Sequence, residues 1–266
     1  MNIRSLLLTI TLAGATLPAL AERPLYQNED APLDQRVEDA LSRMTLEEKV
    51  ALCHAQSKFS SPGVPRLGIP ELWMSDGPHG VRMEINWNDW NYSGWTNDAS
   101  TAFPALTALA ATWNRALAAL YGRSVGEEAR YRHKDVLLGP GVNICRTPLN
   151  GRNFEYMGED PFLAGELAVP YIRGVQSNGV AACLKHFALN NQEKWRGNVN
   201  VTLSNRALFE IYLPAFRRGV ADGGAWAVMG AYNRIWHQHC CHNDMLLNGI
   251  LRDSWGFDGV VITDWG

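Results

Sequence analysis

Five short apolar runs, each ending abruptly in polar residues and separated by helical patterns, constrain what this chain can fold into. Leu67–Met74 leads into Ser75-Asp76-Gly77-Pro78, and Asp135–Leu138 into Gly139-Pro140-Gly141. Val180–Leu184 leads into Lys185-His186-Phe187, Trp226–Met229 into Gly230-Ala231-Tyr232-Asn233, and Val260-Val261-Ile262 into Thr263-Asp264-Trp265. Short apolar runs bounded by turn residues read as strands buried on both faces. Alternating with helices, they read as βα units around a parallel sheet. The expected fold is α/β, a (β/α)8 TIM-type barrel. Such a barrel needs eight strands and roughly 250 residues. Only these strands and a weak one near Thr101 are legible, and no helix follows the last, so the barrel is expected to be incomplete at its C-terminal end.

The helices announce themselves by their ends. Thr45-Leu46-Glu47-Glu48 has the capping-box pattern and opens a helix to about His54. Phe103-Pro104 starts an Ala/Leu-rich helix through Leu120, with a second helical stretch to about His133. Asp160-Pro161 reads as an N-cap and first helical position, opening a helix to about Gln176. Ser204 caps another to about Val220, interrupted near Pro214, and a last one reaches Trp255. The polar loop 86–98 carries Trp87, Trp90, Tyr92 and Trp95, as expected of the wall of a pocket or interface.

Residues 1–21 read as a signal peptide: Arg4, an apolar stretch from Leu6 to Leu20, and the small-x-small site Ala19-Leu20-Ala21. The protein is therefore expected to be exported, periplasmic or secreted, with residues 22–266 forming the folded part. A net charge of −3 and the lack of basic runs argue against a nucleic-acid partner, and the leader is too short and interrupted for membrane insertion. Ten tryptophans point mildly to carbohydrate, whose C–H faces stack on indoles. Five cysteines are too few and too odd in number for a disulfide framework.

The strand ends supply Asp76, Arg152 (on the loop after Asp135–Leu138), Lys185, His186, Tyr232, Asp264 and Trp265. At the carboxyl end of a barrel such residues converge. Cations, carboxylates and a stacking face together suit an uncharged, polyhydroxylated substrate. The chemistry would be glycoside hydrolysis, which needs a carboxylate nucleophile and a second carboxyl as general acid, about 5 Å apart in a retaining enzyme. Neighbouring Arg and Lys are expected to keep Asp264 ionised. Nothing here calls for a cofactor or a metal. His237, His239, Cys240, Cys241 and His242 are clustered, but adjacent cysteines are awkward for tetrahedral zinc, so loop packing is expected of them.

Five segments in order then resemble glycoside hydrolase family 3, closest to its bacterial β-glucosidases: Asp76 to Arg82, Arg146 to Glu155, Lys185-His186-Phe187, Met229 to Asn233, and Trp255 to Trp265. The resemblance implies a retaining mechanism with Asp264 as nucleophile and the Tyr232 hydroxyl beside it. Asp76, Arg152, Lys185 and His186 would bind sugar hydroxyls, Met229 would pack at the subsite, and Trp265 would stack on the ring. The implied substrate is a β-linked oligosaccharide or an aryl or alkyl glucoside, with β-xylosidase the alternative. Lys185-His186-Phe187-Ala188-Leu189-Asn190 lacks the Pro-Gly-His text of the N-acetylglucosaminidase branch. A carbohydrate-binding module without turnover would have no use for a strand-end carboxylate ringed by cations. The family's acid/base usually lies on a second α/β sandwich domain, absent from residues 22–266. Those residues are therefore expected to be a partial, inactive barrel domain. Glu127, Glu128, Glu155 and Glu159 are not singled out by their spacing.

Overall fold

Each of the five apolar runs becomes a strand in the computed structural model, which describes residues 23–94 and 99–265. The signal peptide expected over 1–21 and Trp95 of the aromatic loop lie outside the described residues. The chain divides after Lys49 into two units. In the first, α1 (Leu33–Arg43) carries Asp39, which accepts from the Tyr26 N–H at 3.0 Å and pairs with Arg43 one turn later. α2 (Leu46–Ala51) opens on the capping box read from the sequence. Glu48 N–H donates to Thr45 Oγ1 at 3.2 Å, and Thr45 N–H to Glu48 Oε2 at 2.8 Å.

The second unit begins with β1 (Ser60–Ser61) and β2 (Leu72–Asp76), then α3 (Leu106–Ala111), α4 (Arg115–Tyr131) and β3 (Val136–Leu138). After α5 (Pro161–Gln176) come β4 (Ala181–Phe187), β5 (Asn200–Val201), α6 (Asn205–Ala207) and α7 (Pro214–Ala221). The chain closes with β6 (Ala227–Gly230), β7 (Arg234–Ile235), β8 (Gln238–His239), a helix of wide turns over Met245–Ser254, and β9 (Val260–Thr263). Two sheets result: β1-β2-β3-β4-β6-β9, and a small β5-β7-β8 sheet. In the large sheet β2, β3, β4, β6 and β9 are mutually parallel, and β1 pairs antiparallel with β2. This is a TIM-barrel-like α/β sheet. It curls enough that the Trp265 indole, just past one edge strand, donates to the Lys58 carbonyl at 2.6 Å, just before the other. Among the described residues no helix is long and apolar enough to cross a membrane.

The helix expected to reach His54 ends at Ala51, and the strand expected to end at Leu184 runs on through Lys185 and His186 to Phe187; three further differences have a local reason. Pro65–Leu67 form a tight helical turn ended by Gly68 in the left-handed region, so the first parallel strand starts at Leu72 instead of Leu67. Among the described residues no strand forms near Thr101: its N–H donates to Glu128 Oε1 and the Ala99 carbonyl accepts from Arg132, so the backbone there is tied to the end of α4 and not to a sheet. The break between α3 and α4 falls at 112–114, where Asn114 caps the second helix by accepting from Leu117 N–H at 3.0 Å. The caps Asp160 and Ser204 are where the sequence put them.

Alternation along each strand sorts side chains into two cores. Leu137, Ala182, Leu184 and Val228 face outward into the larger cluster with α4, α5 and α7. Met74, Val136, Leu138, Cys183, Ala227 and Met229 face inward, with Ile262 and Trp265 packed against them. α4 and α5 meet backbone to backbone: a Cβ on Gly122 would lie 2.1 Å from the Tyr171 carbonyl oxygen, and one on Gly174 2.5 Å from that of Ala119.

Candidate active site

The inward alternation decides what reaches the carboxyl edge. Continuing it from Met74 gives Asp76, from Cys183 gives Lys185, and from Ile262 gives Asp264. The register brings these ends level, with Asp76 opposite Leu138, Phe187 opposite Gly230, and Gly230 opposite Thr263. Between Leu184 and Phe187 the β4–β6 register slips, and the Lys185–His186 peptide bond is cis.

Arg152, Lys185, His186, Tyr232 and Asp264 are brought together. His186 Nε2 lies 3.8 Å from Asp264 Oδ2 and accepts from Arg152 Nη2 at 3.0 Å. Burial, reinforced by Lys185, Arg152 and Arg196, pushes the imidazole well below its ordinary acidity range, so it is neutral. With Nε2 accepting from Arg152, the ring proton belongs on Nδ1, which lies 3.2 Å from the Tyr156 hydroxyl. Asn143 holds the His186 backbone from both sides, donating to its carbonyl at 3.0 Å and accepting from its N–H at 2.8 Å.

Asp264 Oδ1 accepts from the Trp265 N–H at 2.9 Å, whereas Oδ2 is buried with no hydrogen-bond partner among the described residues. Burial raises this carboxyl above the usual aspartate range. The Trp265 N–H, the Lys185 and Arg152 charges and the Tyr232 hydroxyl pull the other way without cancelling it. The neighbouring Arg and Lys expected to keep Asp264 ionised do act in that direction, but the desolvating interior outweighs them in the net shift. The Tyr232 phenol is pushed up to about 12 by burial and by the Asp264 charge, with the Arg196 guanidinium 4.3 Å from its ring.

Asp76 lies on the same edge, paired with Arg82 at 3.0 Å. Arg82 in turn lies 5.3 Å over the Trp90 ring, Trp90 meets Phe59 edge-on at 5.8 Å, and Phe59 meets Trp265 at 5.1 Å. This aromatic chain links the first parallel strand to the last. Met229 is fully buried in the inner core beneath the edge. Cys240, also buried, hydrogen-bonds the Ala188 carbonyl, and His239 Nε2 accepts from Arg234 at 3.0 Å. Among the described residues no three His, Cys, Asp or Glu side chains converge as a metal would require.

Sequence reasoning passed over Glu155, Tyr156, Asn143, Glu193 and Arg196. Glu155 bridges Lys185 at 2.7 Å and Arg152 at 2.6 Å, and Glu193 pairs with Arg196 at 2.9 Å. The signal for Glu155 was its place three residues after Arg152, which the short helical turn 153–155 converts into a side-chain pair. Arg196 and Glu193 sit on an irregular loop, where spacing carries no such geometry.

Comparison with known proteins gives a consistent picture. Residues 45–266 match the Glycosyl hydrolase family 3 N terminal domain. A β-glucosidase of Bacteroides ovatus is 70% identical over 245 residues, covering 92% of this chain and 33% of the relative. An exo-α-(1→6)-L-arabinopyranosidase of Bifidobacterium longum is 45% identical over 223 residues, covering 84% of this chain and 30% of its own. Among solved structures, β-glucosidase 3B from Thermotoga neapolitana in complex with glucose superposes with a TM-score of 0.79 at 44% identity, covering 86% of this chain and 34% of that one. The chain thus spans about a third of the length of the curated relatives it matches.

Proposed function

The chain belongs to glycosyl hydrolase family 3 through its N-terminal domain, and on that premise we propose that it forms the nucleophile-bearing part of an exo-acting, retaining β-glucosidase. The observation that carries the reading is Asp264 Oδ2, a buried carboxylate oxygen with no hydrogen-bond partner among the described residues, at a strand end beside Lys185, Arg152 and Tyr232. In the first step Asp264 Oδ2 bonds to the anomeric carbon while the glycosidic bond breaks and the leaving oxygen takes a proton from a general acid. In the second, water displaces Asp264 and the same group, now a base, removes its proton. Tyr232 holds its hydroxyl beside the nucleophile. Arg152, Lys185, His186 and Asp76 meet sugar hydroxyls, with neutral His186 between Arg152 and Asp264. Trp265, with Phe59 against it, offers its indole to the ring above Met229.

The general acid must be protonated when the bond breaks. Glu155 is unsuited to that role. Burial pushes it up, but Lys185 and Arg152 outweigh burial and hold it below the ordinary carboxylate range. Glu193 is engaged with Arg196. As the family resemblance implies, we place the acid/base outside the described residues, on a second domain, and take the curled sheet as part of an eight-stranded barrel. The leader-like residues 1–21 support export to the periplasm or beyond.

Glucose is the sugar favoured by the β-glucosidase relatives and the glucose complex, and the arabinopyranosidase relatives favour a pentopyranoside as the second reading. The test is hydrolysis of aryl β-D-glucoside, β-D-xyloside and α-L-arabinopyranoside by the full-length protein. The β-glucoside is expected to be turned over fastest. Asp264→Ala should lose roughly 10³-fold or more while keeping its circular dichroism. Turnover surviving that substitution would remove Asp264 as nucleophile, and a wild type inert on every glycoside would leave a binding module.

A further inference from the structure

We propose that Glu155, which touches no reacting atom in the mechanism above, is the positioning residue that presents Lys185 and Arg152 to the sugar and so sets which hydroxyls the site selects. The proposal rests on the glycosidase reading. Both carboxylate oxygens of Glu155 are committed. Oε1 accepts from Lys185 Nζ at 2.7 Å, and Oε2 accepts from Arg152 Nε at 2.7 Å and lies 2.6 Å from Nη2. Side chains of Glu155 and Lys185 are 8% and 3% exposed, so neither charge could stand there alone. The Lys185 ammonium has three N–H donors and gives one to Glu155, leaving two for a ligand. Arg152 spends one edge on Glu155 and His186, leaving Nη1, which lies 3.9 Å from Glu193. One carboxylate thereby ties the loop after β3 to the end of β4 and fixes the direction in which two cations point.

Charge neutralisation and positioning make different demands on this residue. Glu155→Asp keeps the charge but is one methylene shorter and cannot reach both cations. Glu155→Gln keeps the length but turns an N–H donor toward one of them. The experiment compares wild type, Glu155→Asp and Glu155→Gln full-length protein on an aryl β-glucoside and on its monodeoxy analogues. Positioning predicts a fall in kcat/KM of roughly 10- to 100-fold in both variants, the worth of one or two charge-assisted hydrogen bonds. It also predicts that the penalty for deleting a ring hydroxyl shrinks at the hydroxyls that Lys185 and Arg152 hold and stays unchanged at the others. A uniform loss across all analogues, or an aspartate variant indistinguishable from wild type, overturns the proposal. Should Glu155→Gln not accumulate as folded protein, the aspartate variant is decisive. A wild type that hydrolyses no glycoside condemns the functional reading instead, so the two failures are told apart.

Discussion

Asp264 occupies a position where the interior weakens it as an acid, and that has a consequence for stability. Its folded carboxyl lies above the ordinary aspartate value because burial outweighs Trp265 N–H, Lys185, Arg152 and Tyr232. At low pH both folded and unfolded chains carry the proton and nothing is lost. As pH rises past the ordinary value of about 3.9, the unfolded chain releases its proton first. The folded state then binds more protons, so stability falls through the window up to the raised value and stays lower above it. Asp264→Asn, which needs no such ionisation, should therefore unfold at a higher temperature than wild type at pH 7. The gain should be about 0.5–2 kcal/mol, the usual size when a functional compromise is removed. It should vanish near pH 3. Thermal unfolding across that pH range checks the sign, and a variant no more stable at any pH would remove the desolvation argument. The sequence made Asp264 legible as a strand-end carboxylate. It did not reveal the desolvation, because that depends on which neighbours the register brings alongside.

At the scale of elements, the strands were legible because burial on both faces leaves few polar residues to blur them, and the caps Thr45, Asp160 and Ser204 were legible because capping is local chemistry. What stayed hidden depends on contacts distant in sequence. Thr101 leads into Ala102-Phe103 as a weak strand might, yet Glu128, twenty-seven residues on, takes its N–H. The Glu155–Lys185 pair, the hinge of the site, joins residues thirty apart, one on the loop after β3 and one on β4. The α4–α5 contact is equally non-local, and it yields a sharp prediction. Gly122→Ala would put a methyl 2.1 Å from the Tyr171 carbonyl oxygen, where backbone and not a flexible side chain must move. The helix-propensity gain of up to about 1 kcal/mol is outweighed by an overpacking cost of about 1–3 kcal/mol or more. Chemical denaturation should show a net loss. An unchanged midpoint would mean that the two helices can separate without cost, and Tyr171, whose hydroxyl reaches the Pro78 carbonyl near the mouth at 2.6 Å, would not be held by this contact.

Across the whole second unit, the inner face is the feature with most to say about what this sheet is built for. A cavity of about 880 Å³ runs from Asp135 and Trp226 at the amino ends of the strands to Asp264 and Trp265 at the carboxyl ends, lined between them by Met74, Val136, Ala181, Ala227 and Ile262. In a closed barrel of this type that space is filled by layers of side chains. Val260 is on the inward alternation with Ile262 and Asp264, yet it is 61% exposed, and β9 has a sheet partner only in β6 among the described residues. An apolar edge of this kind invites association. Two opposite outcomes follow for one substitution. In the 266-residue chain expressed alone, Val260→Lys should reduce self-association and apolar-dye binding, because charge on an edge strand opposes strand addition. In a longer chain whose barrel closes over β9, as we propose, the same lysine is buried without a partner. It should then cost about 3–5 kcal/mol, enough to lower the unfolding temperature by several degrees. Light scattering on the short chain and thermal unfolding on the long one read the two effects separately. A full-length protein that tolerates Val260→Lys would mean that β9 is an edge in the complete molecule too, and that Asp264 stands at the rim of an open sheet instead of inside a barrel mouth.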